Sequence, residues 1–139
     1  MIRPRIFIAC DTKNPKKIKR IINASQNSKI KFGFKFGLEF LNSRNGRNFI
    51  SKLENEITFG DYKLADIPNT CKSSIKAVKD LKFNYITIHI SSGLKAIQAA
   101  KKVSGSTKLV GVTILTSLDN RSLKEIGFDK DIKKIVYHQ

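Results

Sequence analysis

No run of about 18 apolar residues occurs in this 139-residue chain, so it offers no candidate transmembrane helix. The N-terminus, MIRPRIFIACD, meets an acid too soon for a signal peptide, and a cytoplasmic chain is expected. Cysteine is scarce. Cys10 and Cys71 lie far apart, match no metal or redox spacing, and read as buried thiols packing as small hydrophobes. No linker or low-complexity tract interrupts the chain, so residues 1–139 are expected to form a single domain, and 40% hydrophobic residues suffice for a core.

Acids are also few, 11 against 27 Lys and Arg, which leaves a net charge of +16. Such an excess can announce a polyanionic partner, a nucleic acid or a membrane surface. Here it is mostly lysine and spread along the whole chain. KKIKR at 16–20 is the only compact cluster, and Lys72, Lys76 and Lys79 recur at helical spacing as one solvated face. An A+T-rich coding bias would produce the same lysines, so neither nucleic acid nor membrane is the favoured partner. KFGFKFG is superficially similar to an RNA-binding aromatic strand, but Lys35 stands where that pattern wants a small residue and Gly37 where it wants an aliphatic one.

What the chain does have is alternation. Five β-rich runs, RIFIAC from Arg5, FGFKFG from Phe32, ITFGDYK from Ile57, YITIHI from Tyr85 and LVGVTIL from Leu109, start roughly 25 residues apart. Helical segments lie between them. Asn14 before Pro15 reads as an N-cap and first helical position, Asn69 or Thr70 as the opening of CKSSIKAVKDL, Ser91 and Ser92 as that of LKAIQAAKK, and Asp119 as the cap of NRSLKEI. Strand and helix at a fixed interval define repeated βα units on a parallel sheet.

Parallel α/β folds place their sites at the carboxyl ends of the strands. In order, the runs end on Asp11, near Lys35, on Asp61 and Lys63, on His89, and lead to Thr116. Asp61 and Lys63, two apart on a strand, share a face, with Tyr62 on the other. Pro68 rules out a helix through FGDYKLADIPNT, so Asp61, Lys63 and Asp66 belong to a strand and the loop after it. A lysine held between two carboxylates stays protonated. Each polar strand end also has a structural reading, since strand ends must meet solvent. His89 could be a satisfied core or loop histidine, and His138 on the terminal helix reads as surface.

The run Asp61-x-Lys63-x-x-Asp66-Ile67-Pro68-Asn69-Thr70 resembles the signature of the orotidine 5′-phosphate decarboxylase family. The resemblance extends over nearly the whole chain, through ACD, FKFGLEFL, ITIHISSG and GVTILTSLD. Related synthases of the same barrel superfamily share Asp-x-Lys-x-x-Asp but do not continue Ile-Pro-Asn-Thr. Tyr62 and Ala65 fill variable slots of the signature.

The resemblance implies a (β/α)8 TIM barrel, a homodimer, and conversion of orotidine 5′-monophosphate to UMP and CO2 in pyrimidine biosynthesis without metal or organic cofactor. Carried over by position, Lys63 would protonate C6 as CO2 leaves and Asp61 would sit near the substrate carboxylate. Lys35 would tie Asp61 and the ribose into one charge network. Asp66, Ile67 and Thr70 would reach the partner subunit's site, Asp11 would contact the ribose and Thr116 the pyrimidine.

Length is the departure. A (β/α)8 barrel takes about 250 residues, and this chain carries about five βα units. The family's phosphate site lies in the last βα loops, and residues 117–139 hold nothing that replaces it. The expectation is a truncated barrel, active as a truncated form or completed by a complementary C-terminal chain. Two alternatives stay open: an inactive remnant that self-associates or binds polyanions, and a five-stranded flavodoxin-like open sheet.

Overall fold

The computed structural model describes residues 6–139. Arg5, expected to open the first strand, lies outside the described residues. Five strands, β1 (Ile6–Ala9), β2 (Phe32–Phe36), β3 (Thr58–Leu64), β4 (Tyr85–His89) and β5 (Lys108–Val112), form one sheet in the order β1-β2-β3-β4-β5. Every neighbouring pair is parallel. A flavodoxin-like sheet reverses direction at its second strand. This one advances by one strand each time, as a barrel does, and the open-sheet alternative is set aside.

Helices α1 (Pro15–Gln26), α2 (Leu38–Leu41), α3 (Gly46–Ile50), α4 (Pro68–Ala77) and α5 (Leu94–Val103) connect the strands, and α6 (Asn120–Glu125) and α7 (Ile132–His138) follow β5. The connection from β2 to β3 is two short helices. Phe34 and Phe36 of β2 and Ile86 and Ile88 of β4 face the helical layer, and with Cys10, just past β1, they are buried there with Ile18, Ile22, Phe40, Ile50, Cys71 and Ile75; Leu109 of β5, in register with Ile86, packs against the same core. The opposite face carries Phe7, Phe59 and Tyr85, whose rings meet at centroid distances of 5.2, 5.5 and 5.9 Å. Gly33 sits beneath them on β2, and a Cβ there would lie 2.4 Å from the Phe7 ring. The first glycine of FGFKFG therefore serves ring packing.

Helix α1 starts as expected. The Asn14 side chain accepts from the Lys16 and Lys17 amides at 3.0 and 3.4 Å, Pro15 takes the first turn, and Ile18 and Ile22 point inward while the lysines of KKIKR stay exposed. Asp119 caps α6 through the Ser122 amide, 2.8 Å away.

Three boundaries differ from expectation. Helix α4 begins at Pro68, with Ile67 at the N-cap, so Asn69 and Thr70 lie in the first turn and neither caps. Proline has no amide to satisfy and a fixed φ, which makes it the natural first residue. Ser91 and Ser92 form a 3₁₀ turn with Ile90, and Gly93 (φ 82) takes the N-cap of α5, a left-handed backbone that glycine adopts without cost. Strand β5 stops at Val112 because its partner β4 stops at His89, the last residue in register, and Thr113 onward has no strand to pair with.

Candidate active site

Lys35 is the fourth residue of β2 and faces away from the helices. It pairs in register with Phe59, so Asp61, two residues on along β3, lies one step further toward the carboxyl end on the same side. The Lys35 Nζ donates to Asp61 Oδ2 at 3.1 Å, and the Lys63 Nζ donates to the same oxygen at 2.8 Å. Spacing alone suggested a lysine between two carboxylates. The structure shows a carboxylate between two lysines, because Asp66 stays with its own loop: its Oδ1 accepts from the Ile67 amide at 2.7 Å, and among the described residues no ion pair joins it to Lys63.

Asp61 is buried, at 7% exposure, whereas the Lys35 and Lys63 side chains are about one-third exposed at 32% and 38%. Burial pushes the Asp61 carboxyl up. Hydrogen bonds from Lys63 and Lys35, the Lys35 charge and the Thr87 hydroxyl outweigh it and hold the group below the usual carboxylate range. One carboxylate under two ammonium groups leaves one positive charge, about one-third exposed, which suits an anion or a developing negative charge.

Lys63 reaches this position through an irregular strand. The register between β3 and β4 shifts between Gly60 and Leu64, and Lys63 has φ 48, a left-handed backbone in a residue that is not glycine. Such a conformation costs about 1–2 kcal/mol. The amide freed from the ladder donates to Thr87 Oγ1 at 2.7 Å, and that hydroxyl donates to Asp61 Oδ1 at 3.1 Å. Thr87 was not among the residues singled out from the sequence. The signal available was a hydroxyl inside the apolar strand YITIHI, on the face that alternation assigns to His89.

The other candidates lie apart from this cluster. His89 is half-buried at the last position of β4, further along the face of Thr87. Ile67, at 66% exposure, and Thr70 are exposed at the start of α4 together with Asp66. Asp11 is exposed just beyond β1, its Oδ1 over Gly37 at the start of α2. Thr116 is exposed in a turn four residues past β5. A surface hollow of about 630 Å³, lined by Lys13, Leu38, Glu39 and residues 42–45, shares no residue with the cluster.

A sheet advancing strand by strand with a Lys–Asp–Lys cluster at its carboxyl ends defines a (β/α)-barrel protein with its polar site where barrels keep theirs. Residues 4–139 match the family described as "Orotidine 5′-phosphate decarboxylase / HUMPS family", and the chain belongs to it. A Wolbachia (subspecies Brugia malayi) orotidine 5′-phosphate decarboxylase is 37% identical over 94% of this chain and 59% of its own length. One from Ehrlichia chaffeensis is 50% identical over 52% of this chain and 32% of its own. Among solved structures, orotidine 5′-phosphate decarboxylase from Lactobacillus acidophilus superposes with a TM-score of 0.85 at 30% identity, covering 99% of this chain and 65% of that one. The chain thus spans about 59% of the length of the Wolbachia relative.

Proposed function

We propose that this chain supplies the catalytic strands of an orotidine 5′-monophosphate decarboxylase, which converts its substrate to UMP and CO2, and that it works with further barrel strands it does not itself contain. One observation carries the reading: Lys63 and Lys35 converge on a single oxygen of a buried aspartate, at 2.8 and 3.1 Å, at the strand ends of a chain in this family. Loss of CO2 breaks the bond to C6 and leaves its electron pair on that carbon. A fixed ammonium lowers the energy of that pair as it forms and then delivers a proton to it. Lys63 takes that role. Asp61 faces the departing carboxylate, and Lys35 holds Asp61 and reaches the ribose.

Asp66 and Ile67, on an exposed loop outside the cluster, and Thr70 in the first turn of α4 fit a role across a homodimer interface, contributing to the partner subunit's site. Asp11 contacts the ribose and Thr116 the pyrimidine. The half-buried aromatic face of Phe7, Phe59 and Tyr85 and the edge strands β1 and β5 are the surfaces that completing strands would cover.

The test is complementation. The chain is co-expressed with the C-terminal portion of the Wolbachia relative, and decarboxylation is followed by ultraviolet absorbance. Turnover should appear and should vanish in Lys63→Ala while UMP still binds, since removing a group that acts only in the transition state lowers turnover rather than binding. A complemented Lys63→Ala protein within about tenfold of its parent, a barrier change of only about 1.4 kcal/mol, would show that Lys63 is not the proton donor.

A further inference from the structure

The Thr87 hydroxyl has one proton and two lone pairs, and its surroundings use them in only one sense. The Lys63 amide, 2.7 Å away, can only donate, so the hydroxyl accepts there. The Asp61 carboxylate, 3.1 Å away, accepts, so the hydroxyl proton points at Oδ1. Oδ2 is left to the two lysines. The residue is 5% exposed, which puts solvent in a poor position to replace either bond.

We propose that Thr87 is a positioning residue for the Lys35–Asp61–Lys63 cluster: its hydroxyl holds the left-handed backbone of Lys63 at one end and the rotation of the Asp61 carboxylate at the other. Two otherwise separate features are thereby fixed by one side chain. The bulge in β3 decides where the Lys63 side chain starts, and the carboxylate plane decides where both ammonium groups end. What β4 contributes to the hydrogen bonds of the cluster is this hydroxyl. The catalytic importance of the arrangement rests on the decarboxylase reading above, but the hydrogen bonds themselves do not, and they can be tested without substrate.

Threonine 87 is replaced by serine, which keeps the hydroxyl, and by valine, which keeps the shape. Amide hydrogen exchange at Lys63 is then read by NMR on the full chain, together with the titration of the Asp61 carboxyl carbon. In Thr87→Val the Lys63 amide should lose at least about tenfold in protection while the amides of α1 keep theirs. The Asp61 titration should move up toward the ordinary carboxylate range with Lys35 and Lys63 still present. Thr87→Ser should match the parent in both. A folded Thr87→Val chain whose Lys63 protection stays within about threefold of the parent would overturn the proposal. Should the valine variant fail to fold, serine decides: retained protection upholds the hydroxyl's role, and a tenfold loss in Thr87→Ser refutes it.

Discussion

Asp61 accepts hydrogen bonds from three side chains, and the cost of losing its charge depends on pH. Its folded carboxyl lies below the ordinary value, so its stabilising effect is fully present above the unfolded value near about 3.9 and is lost as pH falls through the folded one. Asp61→Asn should therefore lower the urea midpoint at pH 7, and the gap to the parent should narrow by pH 3. The difference must be read against the parent, because Asp119 and Asp131 are also held low by hydrogen bonds at helix starts and add their own acid sensitivity. A gap that stays constant from pH 7 to pH 3 would contradict the role given to its charge. Cys10 behaves in the opposite way: burial, helped by Asp11, pushes its thiol up to about 11, and Cys71 is fully buried. Neither should react with a disulfide reagent at neutral pH until denaturant is added, and rapid native labelling of a thiol would sink that expectation. Lys35, Asp61 and Lys63 were legible as polar residues at the ends of neighbouring β-rich runs, although the bulge that brings Lys63 onto Asp61 was not. Thr87 was not, since its role depends on a bulge that no glycine or proline in DYK announces.

At the scale of elements, start signals held where a side chain does the capping and failed where backbone conformation does. Asn14 closes α1 with two amides, so Asn14→Ala should cost about 1 kcal/mol in urea unfolding. Asn69 and Thr70, which look equally good on paper, cap nothing, since Pro68 opens α4. Replacing either with Ala should change stability by less than about 0.5 kcal/mol. Equal losses at Asn14 and Thr70 would reverse this assignment. The strands show the same division. Their cores were legible from apolar runs, but where β5 ends is set by where β4 ends: His89, the last residue of β4, pairs with Val112, the last of β5, a fact about two segments that neither contains alone.

At the scale of the whole molecule, β1 and β5 are the edge strands of the sheet among the described residues, and the face away from the helices carries the rings of Phe7, Phe59 and Tyr85 beside the lysine–aspartate cluster. Counting βα units in the sequence left barrel and open sheet unresolved, because both begin with the same alternation. Strand order separated them, and it is a property of the assembled sheet. Edge strands offer backbone groups for pairing with another chain, β1 and β5 are the edges among the described residues, and Ile67, Leu38 and Leu94 are exposed apolar residues at helix starts. The 139-residue chain alone should therefore sediment as a self-associated species at micromolar concentration. It should also fail to decarboxylate orotidine 5′-monophosphate. Under the proposed function the cluster of Lys35, Asp61 and Lys63 would supply charge at the reacting carbon, while the resemblance puts the phosphate site in βα loops later than the five described here. Binding energy from such a remote group supports the chemical step, and each missing hydrogen bond to a charged group is worth roughly 1.5–3 kcal/mol. Adding the C-terminal portion of the Wolbachia relative should convert the self-associated chain into a defined complex and bring turnover with it. A compact monomer would contradict the account of the edges, and steady turnover by the chain alone would contradict the account of the phosphate, so the two halves of the prediction fail independently.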